Sequence, residues 1–403
     1  MLYWAQTHSI FCFLDSNQYT DAHGRFGCLL AVGAQAQCMH PQHTLQDLDV
    51  FLEKRSWTFG HFSYECRNLI HTAPSGKKDF LEFPLFYFFE PLHVVALQEH
   101  VVIIWSAQAD AVWASINNTV CVQKQQAAVV PKPLLTKEEY ISRVHALQAH
   151  IHRGDCYEIN FCQQYQAHHV QLEPVTVFES LVKQSPAPFA ALYRVAGCWL
   201  ISSSPERYLK KEGLSIWSQP MKGTIRRGAT AAEDEQQKQI LANSQKDRAE
   251  NVMVVDLVRN DLSQVCAPGS VRVEELFGLY PFPAVHQMVS TVTGLLNEKT
   301  SFSQIIAATF PMGSMTGAPK ASVMHLIDRY EPAARGIFSG ALGYVHNKDF
   351  DFNVVIRSIG YNAQMGQLSF GVGSGITAYS GAKNEWEECE LKTEALKKVL
   401  QSQ

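Results

Sequence analysis

The chain has 403 residues, of which 46% are apolar and 18% charged, and its net charge is −4. That length and balance fit one large soluble domain or two to three ordinary ones, and exclude a disordered chain. The mild acidity gives no electrostatic case for nucleic acid or an anionic membrane as partner, and ten scattered cysteines, with no C-x-x-C pair and no zinc spacing, point to reduced thiols in a cytoplasmic protein.

Met1 to Asp15 is apolar but lacks a basic n-region and a small-residue cleavage site, so no signal peptide is expected. No uncharged apolar window reaches the length of a membrane span. Residues 1–130 read as a β-rich region packed into the same unit as the rest of the chain, with strands predicted over 26–32, 58–65, 83–89 and 100–105. Pro131-Lys132-Pro133 is the best linker, and residues 131–403 hold the motifs that carry chemistry. Thr136 and Glu139 form a capping box, and Tyr140, Val144, Leu147 and Ile151 recur at helical spacing until Gly154, which predicts a helix over 137–153. Next, Tyr157, Ile159 and Phe161 alternate with Glu158 and Asn160. That is a strand whose polar face either lines a cleft or is simply solvated.

A strand over 199–203 leads into Ser204-Pro205-Glu206-Arg207. A glutamate just past a proline turn serves as general acid if its surroundings raise its pKa; otherwise it caps the turn or pairs with its neighbouring arginine. A short strand over 214–217 ends at Pro220, which cannot donate to a ladder. Lys222 follows beside Gly223, in a stretch from Gly213 to Ala232 with three cations and no acid. Such a field suits an anionic small molecule, or is a solvated turn.

Ser244 caps a helix running to about Asn260 in which Asp247 and Glu250 share a face. Capping explains Asp247 but not Glu250, which enters an apolar run. A strand is predicted over 271–277. Gly313 to Lys320 is a glycine-rich loop opening a helix with Pro319 at N1; its amides suit an anion, although the Walker spacing is absent. Strands over 338–345, 350–361 and 367–370 are joined by turns short enough to permit only antiparallel pairing. Blocks of helices and antiparallel strands argue for an α+β fold. Arg357 shares the face of Val355 and Ile359, and its carboxylate partner is either internal or a ligand's. Gly371 to Gly375 offers amides without Cβ obstruction. The last helix, over 382–401, is expected to bury Trp386, Cys389, Thr393, Leu396 and Leu400, with Glu385, Glu388 and Lys392 at the border of that stripe. Two helices bearing acids three apart have the oxygen ligands for Mg²⁺, though such pairs also arise by chance in a chain with 38 acids.

Gly154-Asp155 through Tyr157, Ile159 and Asn160, then Ser204 to Arg207, Met221 to Thr224, Asp247 to Asn251, Asp256 to Asp261, Gly313 to Lys320, Gly371 to Gly375, and Glu385 with Glu388 occur in one order. As a set they resemble the chorismate-utilising enzymes, the anthranilate synthase component I family, which includes aminodeoxychorismate, isochorismate and salicylate synthases. The resemblance covers residues 131–403 and implies two facing antiparallel sheets surrounded by helices, with the active site between. By position it implies Glu250 and Glu388 as Mg²⁺ ligands, supported by Asp247 and Glu385. It implies Tyr344 and Arg357, with the amides around Gly373 and Gly375, on the lactyl carboxylate of chorismate. Gly223, Thr224, Thr316 and Lys392 complete the implied substrate shell, and Glu206 is the implied acid for the departing C4 hydroxyl.

Lys222 separates the branches of that family. Members that aminate C2 carry alanine there, whereas aminodeoxychorismate synthases carry a lysine proposed to add at C2 before ammonia enters at C4. The implied activity is therefore conversion of chorismate to 4-amino-4-deoxychorismate for p-aminobenzoate and folate synthesis. The chain has no G-x-C-x-G elbow of its own, and the resemblance implies a separate glutamine amidotransferase subunit that supplies the ammonia. Such a lysine is expected to have its pKa depressed by desolvation and nearby cations. Two positions depart from the pattern: Glu158 stands where these relatives mostly have glutamine, and Gln287 where they have histidine. Either Gln287 supplies that hydrogen bond or the register beside His286 has shifted. The alternatives are an anthranilate synthase large subunit, which Lys222 argues against, and a non-catalytic chorismate-binding regulator, which Glu206 and the acidic pairs argue against.

Overall fold

The strand Phe189–Val195 turns Ala191, Tyr193 and Val195 to one side and Ala190 and Leu192 to the other, and all five are buried. A strand apolar on both faces must lie in a sheet covered on both sides. The computed structural model, which describes residues 1–403 apart from 20–22, 25, 72–75, 99, 123–124, 284, 402 and 403, shows why. Two large sheets, with every strand pair antiparallel, face one another, and helices coat their outer sides. Ala191, Tyr193 and Leu200 of the first sheet meet Phe59, Tyr87, Phe89 and Leu342 of the second in the layer between them. Outside the first sheet, Phe161, Tyr165 and Phe370 pack against helices Lys137–His152 and Ala382–Gln401 through Tyr140, Val144, Cys389 and Leu400. Outside the second, Phe62, Phe86, Phe88 and Phe352 pack against Gln245–Ser263 and Phe302–Thr309. Each fully buried Phe or Leu in these layers stabilises the fold by roughly 1.5–3 kcal/mol relative to an exposed one.

The first sheet runs from the short strand Gly317–Ala318 through Glu158–Ala167, Gln367–Ile376, Ser358–Asn362 and Cys198–Ser204 to strands from the region before Pro131. The second starts at Met221–Arg226 and continues through Val285–Leu295 and Ser215–Gln219, again ending in strands from that part of the chain. Strands from both sides of Pro131 therefore share both sheets.

Three local expectations change. The predicted strand over 350–361 is two strands, Asp349–Val354 in the second sheet and Ser358–Asn362 in the first. The chain crosses between sheets at Val355 to Arg357, and Arg357 takes a left-handed backbone with φ 50°. The strand predicted over 367–370 runs on through Gly371 to Gly375 as Gln367–Ile376. Pro319 is the N-cap of helix Lys320–Tyr330 rather than N1, so the helix starts one residue later than predicted. Helix Lys137–His152 has its predicted capping box, with Glu139 N donating to Thr136 Oγ1 and Thr136 N to Glu139 Oε2.

Candidate active site

Met221–Arg226 opens the second sheet and Glu158–Ala167 stands one place in from the end of the first. Lys222 projects from one and Glu158 from the other, and they meet: Lys222 Nζ donates to Glu158 Oε1 at 2.5 Å. Both side chains are well buried, 11% and 2% exposed. Gly375, on the next strand, passes directly over the pair. A Cβ there would lie 2.8 Å from both Nζ and Oε1 and 3.5 Å from Glu250 Oε2, so the glycine is what admits the contact.

Two helices close the site. Gln245–Ser263 starts at Ser244, whose hydroxyl accepts from Asp247 N, and its first turns carry Asp247 and Glu250. It packs so tightly on the Lys222 strand that a Cβ on Gly223 would lie 2.9 Å from Asp247 Cβ, and Gly223 has φ +88°. Gly223 thus serves helix packing. Ala382–Gln401 brings Glu385, fully buried, and Glu388, whose Oε1 accepts from Lys392 Nζ at 2.6 Å. Lys392 also donates to Gly373 O at 2.7 Å.

The charges fix the chemistry. Burial alone would lower the Lys222 amine, but Glu158, Glu250 and Glu388 outweigh it and hold the ammonium above the usual lysine range. This corrects the expectation of a depressed lysine. The acid-free stretch around Lys222 is acid-free only in sequence, and three carboxylates from other elements face the amine. Burial pushes Glu206 up to about 7; the Ser314 hydroxyl, Lys222 and the Met221 amide temper that rise. A carboxyl at that value is poised as a general acid near neutral pH. Ser314 Oγ itself makes no hydrogen bond in this geometry, which leaves burial and Lys222 as the main influences on the group. Glu250 is likewise pushed up to about 7 by burial, with Lys222 and Lys246 drawing it down and Glu158 and Glu385 pushing it up.

Among the described residues no three His, Cys, Asp or Glu side chains cluster closely enough to enclose a metal ion by themselves. Glu250 Oε1 and Glu385 Oε2 are nevertheless buried without a hydrogen-bond donor. Bare carboxylate oxygens suit a hard cation such as Mg²⁺, which commonly takes one or two carboxylates and completes its shell with water and substrate oxygens. The residues fit Mg²⁺ on those terms. Lys246, not expected from the sequence, reaches the same acids, 3.2 Å from Glu385 Oε1 and 3.7 Å from Glu250 Oε1. Its signal was an i, i+4 spacing from Glu250 on one helix face.

Other expected residues divide. Arg357, half-buried at the crossing between sheets, forms no ion pair among the described residues. Burial holds it below the usual arginine range, and Glu388 partly restores it. That leaves its guanidinium available to an anion. Tyr344 is a correction: it packs with Phe26, Trp57 and Phe59 and lines a separate cavity of about 370 Å³ with Asp15, Phe189 and Asn353. Thr316 is buried and its hydroxyl donates to Met312 O at 3.0 Å, which makes it a turn-holding residue here. Thr224 is exposed, opposite Gln287. His286 Nε2 lies 2.9 Å from Asp234, whereas Gln287 Oε1 is buried without a partner. His286 Nδ1 is likewise buried without a partner, so both neighbouring side chains keep hydrogen-bonding capacity. Asn160 donates to Ser314 O at 2.8 Å and so ties its strand to the Gly313 loop.

A profile described as chorismate binding enzyme matches residues 9–398. The chain is 42% identical over 255 residues to "Aminodeoxychorismate synthase component 1" of Salmonella typhimurium, covering 63% of this chain and 56% of that protein. It is 33% identical over 373 residues to "Anthranilate synthase component I-like protein" of Synechocystis sp., covering 90% of this chain and 76% of that one. The first of these two relatives is thus matched over little more than half of its length. Among solved structures, anthranilate synthase component I from Streptococcus pneumoniae superposes with a TM-score of 0.80 at 21% identity, covering 94% of this chain and 93% of that chain. That likeness bears on the fold, which is the α+β arrangement of two antiparallel sheets with helices.

Proposed function

The chain belongs to the chorismate binding enzyme family, and we propose that it aminates chorismate at C4 to give 4-amino-4-deoxychorismate for p-aminobenzoate and folate synthesis. The observation that carries this reading is Lys222, a buried amine placed by two sheets and Gly375 beside Glu158 and close to Glu206. A C2-aminating enzyme has no use for a side-chain nucleophile there, and a mere binding protein needs neither nucleophile nor acid. The names of the 40–42% identical relatives support the same branch.

The work is divided among several residues. Arg357, an unpaired guanidinium at the crossing between sheets, binds the lactyl carboxylate, and the backbone around Gly373 and Gly375 shapes the wall beside it. Lys222 adds at C2. Glu206, protonated up to about pH 7, gives its proton to the hydroxyl leaving C4. Glu250 and Glu388, with Glu385 and Asp247 behind them, would hold Mg²⁺, which would supply Lewis-acid chemistry to the ring carboxylate side of the substrate. Ammonia comes from a separate glutamine amidotransferase, in keeping with the "component 1" in the relatives' names. Among the described residues no helix is long and apolar enough to cross a membrane, and all ten cysteines are free thiols, which supports a reducing, cytoplasmic setting.

The test is direct. The purified chain is incubated with chorismate, Mg²⁺ and ammonium salt, and the products are separated by chromatography. Aminodeoxychorismate is the expected product. Fluorescent anthranilate would replace this reading with C2 amination, and no turnover with any amine would favour the binding protein.

A further inference from the structure

An ammonium has no lone pair, so Lys222 cannot attack carbon until a proton leaves it. The surrounding acids hold that proton firmly. Of these, only Glu158 is hydrogen-bonded to Nζ, at 2.5 Å; Glu250 and Glu388 act on the amine through space from their two helices. Glu158 is 2% exposed and fixed on a strand paired on both sides, to Gly317–Ala318 and to Gln367–Ile376. Its second oxygen is buried and accepts no hydrogen bond, so among the described residues no other donor competes for the carboxylate.

We propose that Glu158 is a catalytic base of this chain, taking the proton of Lys222 as the amine closes on C2 of chorismate. The proposal rests on the C4-amination reading. Proton transfer within the pair turns an ion pair into a neutral amine and a neutral acid, a change that a buried site tolerates because no net charge is created. In the first step the Nζ–H bond breaks to form O–H on Glu158, and the nitrogen lone pair forms the bond to C2. The C1=C2 pair moves to C1–C6 and the C5=C6 pair to C4–C5. The C4–O bond then breaks, and the hydroxyl leaves as water with the Glu206 proton. In the second step ammonia attacks C4, the π pairs move back, and the C2–Nζ pair returns to nitrogen. Glu158 hands its proton back to Lys222, and the new C4 ammonium reprotonates Glu206. The sum is chorismate plus ammonia giving aminodeoxychorismate plus water.

With ammonia withheld, the first step leaves the ring bound to the enzyme as chorismate less one water, which intact-protein mass spectrometry of the full chain detects on Lys222. Glu158→Gln keeps the hydrogen-bond acceptor but takes no proton. It is expected to slow adduct formation and kcat by about a hundredfold or more, with KM for chorismate changed little and the melting temperature near that of the parent. Glu158→Asp should recover part of the rate. Labelling of the Gln variant at the parent rate overturns the proposal while leaving C4 amination intact. An unlabelled parent that still makes aminodeoxychorismate removes the lysine nucleophile and this base together. Anthranilate as product removes both readings by a separate signal.

Discussion

Lys222 reads as a surface lysine in its own neighbourhood and as a buried, acid-flanked amine in the folded chain. Lys222→Ala is expected to bring aminodeoxychorismate formation below detection with little loss of stability; unchanged C4 amination in the same assay would exclude a covalent role. Glu206 gives a second prediction. Since its acid form is the active one, kcat should fall as pH rises through about 7, and Glu206→Gln should lower kcat roughly 10²–10⁴-fold and flatten that limb. The sign for stability comes from the same shift. A carboxyl raised in the folded state favours folding below its unfolded pKa, and that benefit is lost as pH rises through about 7. Urea midpoints should therefore show Glu206→Gln gaining on the parent at pH 8 but not at pH 4, by at most on the order of 3 kcal/mol. An equal difference at both pH values would show that burial does not set this group. The proline turn and carboxylate of Glu206 were legible in the sequence, but the burial that makes the residue an acid was not.

At the scale of elements, Gly375 and Gly223 have different jobs although both border the site. Gly375→Ala pushes a methyl to within 2.8 Å of Lys222 Nζ and Glu158 Oε1, the mobile ends of two side chains. It is expected to spare the fold and cut activity about a hundredfold through misplacement; an active variant would show that the pair tolerates displacement. Behind the site, Arg335 is buried and bridges Glu331, Met315 O and Asn160 O, while Glu65 accepts from the backbone amides of Arg335 and Gly336. Nothing in the local sequence signals this network, because its members come from distant parts of the chain. Arg335→Ala leaves buried carboxylates uncompensated and is expected to lower stability by about 3–5 kcal/mol in chemical denaturation. The helix opened by the Thr136 and Glu139 capping box was readable to within a residue or two, because its signals are local. The strand over 350–361 was misread because a crossing between sheets leaves no mark in an apolar alternation.

On the scale of the whole molecule, the site exists only where strands of the two sheets meet through Lys222 and Glu158, with helices Gln245–Ser263 and Ala382–Gln401 closing it. Anything that binds the assembled acids stabilises the fold by mass action. Mg²⁺ at about a hundred times its dissociation constant should add about 2.7 kcal/mol, seen as a rise in melting temperature that a chelator reverses. Glu250→Gln should remove most of that rise, and a Mg²⁺ response unchanged in this variant would place the ion elsewhere. By itself the sequence determined the α+β class, four of the helices, the family, the branch-marking lysine and the two acidic helix faces. These depend on periodicity, capping and ordered short motifs, which lie within a few turns of chain. Only the tertiary structure decided that Glu158 is the partner of Lys222, that the lysine is held charged rather than neutral, that Tyr344 faces another cavity, and that Lys246 joins the acids. Those facts are set by through-space charge and desolvation between elements that are, like Glu158 and Lys222, 64 residues apart in the chain.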